Sequence, residues 1–125
     1  MSTKSVMSAV SAPLAQPAAS PAKHEAALSS ASAAFGLAAA IAILFNTLLA
    51  WVKDAYDPLN TAMARLTGHH WITHGLLDLA VFVVLGAVFL RNGIAARTSP
   101  NQLALQIVGA VILGGAGLAA WFVLV

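Results

Sequence analysis

Three long apolar runs, separated by short polar stretches, organise this chain. The first extends over 32–52, from Ser32 to Val52, and is dominated by Ala, Leu and Ile until Lys53 and Asp54 interrupt it. The second covers 70–90 and ends at Arg91-Asn92-Gly93, and the third covers 103–125. Each is long enough to cross a hydrocarbon core of roughly 30 Å as a helix. The pattern therefore predicts an all-α integral membrane protein with three transmembrane helices.

The loops carry their own signals. Asp57 followed by Pro58 reads as a helix N-cap and first turn, and Leu59, Met63 and Leu66 then repeat at helical spacing until Gly68. This predicts a short interfacial helix over 58–67, with its apolar side down on the membrane. Trp51, Tyr56 and Trp71 bracket it, where amphipathic rings belong at headgroup level. Ser99, Pro100 and Gln102 form a capping-box pattern that opens the third span. Residues 1–30 are rich in Ala, Ser and Pro without a continuous apolar core, so a disordered tail is expected before a three-helix domain over 31–125.

Composition strengthens this assignment. The chain is 60% hydrophobic and 8% charged, whereas soluble domains carry about 25% charged residues. The net charge of +2 comes from only six Lys and Arg, scattered along 125 residues, so a nucleic-acid partner is not expected. With no cysteine, thiolate metal sites and disulfides are excluded. Lys4, Lys23, Arg91 and Arg97 fall on one side of a three-span topology and Lys53 and Arg65 on the other. That bias places the amino terminus inside and the carboxy terminus outside, in what is expected to be a bacterial inner membrane.

Small residues mark faces for close helix packing: Ala34, Ala38 and Ala42 in the first span, and the pairs Ala110–Gly114 and Gly115–Ala119 in the third.

The candidate chemistry lies in the second span. His70, His74 and Asp78 are four residues apart and share a helical stripe. Asp78 lies roughly 10 Å along the axis from Trp71, and Asn46 roughly 9 Å from Val52 on the same face of the membrane. The match predicts a polar intramembrane cluster of Asp78 and Asn46 inside the bundle, level with the glycines at 114–117. Two imidazoles at this spacing suit a transition metal, with His69 as a further ligand, or a proton path that ends on the acid. The bland alternative leaves the imidazoles wet at the interface and uses Asp78 for packing alone.

No phosphate loop, Ser-His-Asp order or paired acid is present, so an enzyme is not expected. The function expected is that of a small accessory or structural subunit of a larger membrane complex, or a homo-oligomer, whose partners are the lipid bilayer and other membrane subunits or further copies. A metal- or cofactor-binding membrane protein centred on His70, His74 and Asp78 is the alternative, and an oligomeric proton-coupled carrier or channel is the third.

Overall fold

A computed structural model describes residues 28–125, which form α1 (Ser30–Ala55), α2 (Asp57–Thr67), α3 (His70–Asn92) and α4 (Pro100–Leu124), with a 3-10 turn over Ile94–Arg97 before α4. Among the described residues 91% are helical and none is in a strand. The helices α1, α3 and α4 are each long and apolar enough to cross a membrane. Residues 1–27 of the expected tail lie outside the described residues, and Ser30 already opens α1.

Local chemistry accounts for the boundaries. Ser29 caps α1 by accepting from the Ser32 amide at 3.1 Å. Gly68 and Gly93 stop α2 and α3 in the left-handed conformation, with φ of 88° and 67°, where a side chain would be strained. The capping box of α4 is complete: Ser99 Oγ accepts from the Gln102 amide, and the Gln102 side chain accepts from the Ser99 amide, both at 3.2 Å. The start of α2 differs from expectation by one residue. Tyr56 is the N-cap and gives no side-chain bond, while Asp57 is already helical, its carboxylate at the positive end of the helix dipole.

The three spans form a layer one helix thick. Both α3 and α4 pack on α1 and make no contact with each other. Burial follows this order: 39% of the most apolar stretch of α1 is buried, against 17% in α3 and 11% in α4. Ala34 and Ala38 are fully buried on α1, with Ala42 half-buried above them. Near the second loop, Gly86 of α3 admits the Phe35 ring, which also packs on Phe82 at 5.4 Å between centroids.

Against α4, Thr47 donates to the Gly114 carbonyl at 3.2 Å. Trp51 Nε1 donates to the Gly117 carbonyl at 3.2 Å and its ring stacks on Trp121. Trp51 is therefore a clamp between helices as well as a ring near the membrane surface. Ala110 and Gly114 lie in this contact, whereas Gly115 and Ala119 are exposed on the other side of α4.

The apolar side of α2 is divided. Met63 is buried, and its carbonyl accepts from the Thr73 hydroxyl, which also meets Thr67 at 2.8 Å. Leu66 remains exposed. So α2 spends part of its apolar stripe on α3 and does not lay all of it down toward lipid.

Candidate functional site

The polar cluster forms where α1 meets α3. Asn46, Ala50 and Lys53 recur at helical spacing on α1, and Trp71, His74 and Asp78 do the same on α3. Ala50 is almost fully buried, and its small side chain lets the two helices approach. His74 occupies the seam with 2% of its surface exposed. Its Nε2 lies 2.9 Å from Asn46 Oδ1 and 3.3 Å from Asp78 Oδ2. Both neighbours are acceptors in this arrangement, so the hydrogen-bond network assigns the ring proton to Nε2.

Two atoms of the cluster are left over. His74 Nδ1 and Asp78 Oδ1 are buried and have no hydrogen-bond partner among the described residues. The Asp78 side chain is 23% exposed. Eight residues into α3, it lies roughly 12 Å along the axis from the helix start.

Asn46 and Asp78 thus enter one cluster as the depth match predicts, but His74 stands between them, and Asn46 bonds to the ring. The expectation of wet interfacial imidazoles fails for His74, because packing of α3 on α1 turns that ring inward. It holds better for His69, which is exposed, and His70, which is half-exposed. The glycines at 114–117 do not join the layer. Gly114 and Gly117 face Thr47 and Trp51 while Gly115 is exposed, and α1 stands between them and Asp78.

The histidines take separate roles. His69 caps α3, its Nδ1 accepting from the Trp71 amide at 3.2 Å. The His70 ring stacks between His69, at 4.6 Å, and Trp71, at 5.4 Å. His74 continues the ladder of rings, 5.4 Å from Trp71. Among the described residues no group of three His, Asp or Glu side chains is placed to hold a metal ion. The geometry therefore gives the metal alternative of His69, His70 and His74 no support there.

Lys53 is the residue that the sequence pattern conceals. It reads as the polar stop of the first span, yet α1 continues through it and the side chain is fully buried. Its ammonium bonds Asp54 Oδ1 at 2.9 Å and lies 3.8 Å from the Trp71 ring centroid. A long aliphatic stem makes such burial tolerable, and the aromatic face replaces part of the lost hydration. The signal available in the sequence was the seven-residue interval from Asn46 to Lys53, which puts both on one helix face. From the first-loop end inward, the seam reads Lys53, Trp71, His74, then Asn46 and Asp78.

No protein family, curated protein or solved structure matches the chain.

Proposed function

We propose that this chain is a small, non-enzymatic subunit of a larger integral membrane assembly, held in place through the α3 face that carries Asp78. The observation that supports it most directly is the incompletely paired carboxyl of Asp78. A charged side chain near the centre of a membrane helix costs about 2.5–3.5 kcal/mol on insertion scales. His74 meets Oδ2 of Asp78, Oδ1 has no partner among the described residues, and the side chain as a whole keeps 23% of its surface exposed. A hydrogen-bonding side chain from another transmembrane helix removes that cost, whether the helix belongs to a second copy or to a different subunit. Gly75, one turn nearer the first loop, leaves open space where such a helix can approach.

The layered architecture agrees. With α3 and α4 on separate faces of α1, each offers its outer surface to neighbours. The charge bias of Lys4, Lys23, Arg91 and Arg97 against Lys53 and Arg65 supports an orientation with the amino terminus inside, in a bacterial inner membrane.

Purification from native membranes in mild detergent tests the proposal. The expected result is a particle larger than one chain, with a photo-crosslinker at Leu79 capturing a neighbour. An Asp78→Leu chain should be captured less. A monodisperse monomer with no crosslinked product would overturn the assignment, and the mass of the product separates a second copy from another subunit.

A further inference from the structure

We propose that His74 is a proton relay between water at the first-loop end and Asp78. This goes beyond assembly and does not depend on it. It rests on the way the ring is held. Nε2 faces the Asp78 carboxylate, Asn46 fixes the plane of the ring, and Nδ1 has no bonded partner although the residue is 2% exposed. A buried polar atom without a partner is rare. An imidazole that serves only as a packing element would be expected to bond through both nitrogens. One that passes a proton needs a free acceptor on one nitrogen and a proton-accepting base beside the other.

The step balances. A proton from water adds to Nδ1, the N–H bond at Nε2 breaks, and that proton forms an O–H bond with Asp78 Oδ2. The electron pair of the broken bond stays on the ring as the Nε2 lone pair. The reverse step returns the proton to water. The source lies close, since His74 is four residues into α3, roughly 6 Å along the axis from its start. Asn46 acts as a positioning residue, because it touches the ring but neither gains nor loses a proton.

Few other groups compete for this role. From α1 the neighbouring charges are Lys53 and Asp54, which pair with each other. On α3 itself His70 precedes by one turn and stacks on His69 and Trp71. From α2, Asp57 and Arg65 line a shallow depression with Pro58 and Thr61 and lie on exposed positions. The helix α4 carries no titratable side chain and does not reach α3.

The test is nitrogen-15 NMR on the full chain, labelled at histidine and held in lipid bilayers, with His74 assigned from its loss in His74→Gln. The expected spectrum shows Nε2 protonated and Nδ1 unprotonated, with tautomer exchange that quickens as pH falls. In Asp78→Asn the exchange should slow by about a hundredfold, the lower end of what a positioned acid or base contributes. Thr47→Val, which alters the α4 side of α1, should retain the exchange. A merely structural role gives the opposite sign, because loosening the seam frees the ring and speeds exchange. Exchange unchanged in Asp78→Asn, or a native ring protonated at Nδ1, would overturn the relay. Particle size measured on the same preparations reports separately on assembly, so a monomer with intact exchange overturns only the subunit proposal.

Discussion

Asn46 and His74 meet across the α1–α3 seam at 2.9 Å, 28 residues apart in the chain. That bond ties the first span to the second. Interhelical hydrogen bonds in membranes average only about 0.6 kcal/mol, with a maximum near 1.7. Asn46→Leu is accordingly expected to lower stability by about 1 kcal/mol. His74→Leu should cost more, since it also strips Asp78 of its partner. Reversible unfolding in mixed micelles measures both, and equal losses would show that the Asp78 contact contributes nothing.

Glycine substitutions should divide by position. A Cβ at Gly86 would run into the Phe35 ring, which is already packed on Phe82. Gly86→Ala is expected to destabilise the fold by about 1–3 kcal/mol, as overpacking does. Phe35→Leu in the same chain should recover part of the loss, which a double-mutant cycle reads as coupling. Gly115→Ala meets nothing within 4 Å and should leave the isolated chain unchanged.

Lys53 should reveal itself through Trp71. In a chain where Trp51 and Trp121 are replaced by Phe, the emission of Trp71 reports on the ammonium 3.8 Å from its ring. Lys53→Met keeps an apolar stem and removes the charge. Its expected signature is a shift in Trp71 emission with a stability loss of about 0.5–2 kcal/mol, the range of a cation over an aromatic face. An unchanged spectrum would mean that the ring does not sense Lys53.

Thr73 holds α2 to α3 through the Met63 carbonyl and the Thr67 hydroxyl. Thr73→Val keeps the shape and deletes both bonds. Hydrogen exchange should then rise over 57–67 while α4 stays protected, for a stability loss of about 1 kcal/mol. A uniform rise along the chain would instead place Thr73 in the global core.

The helices, their caps and their stops were legible in the sequence because they depend on neighbouring residues. The Ser99–Gln102 box, Gly68 and the three apolar runs each act over a few positions. Spacing also placed His74 and Asp78 on one stripe, and depth brought Asn46 level with them. The order of the helices was decided only by tertiary packing. A span that is apolar nearly all round gives little indication of which side meets which neighbour. Three outcomes followed from α1 taking the centre: Gly114 and Gly117 turned to Thr47 and Trp51, His74 came between Asn46 and Asp78, and Lys53 lay buried against Trp71. Each depends on the rotation of one helix about another, a property that no single segment carries.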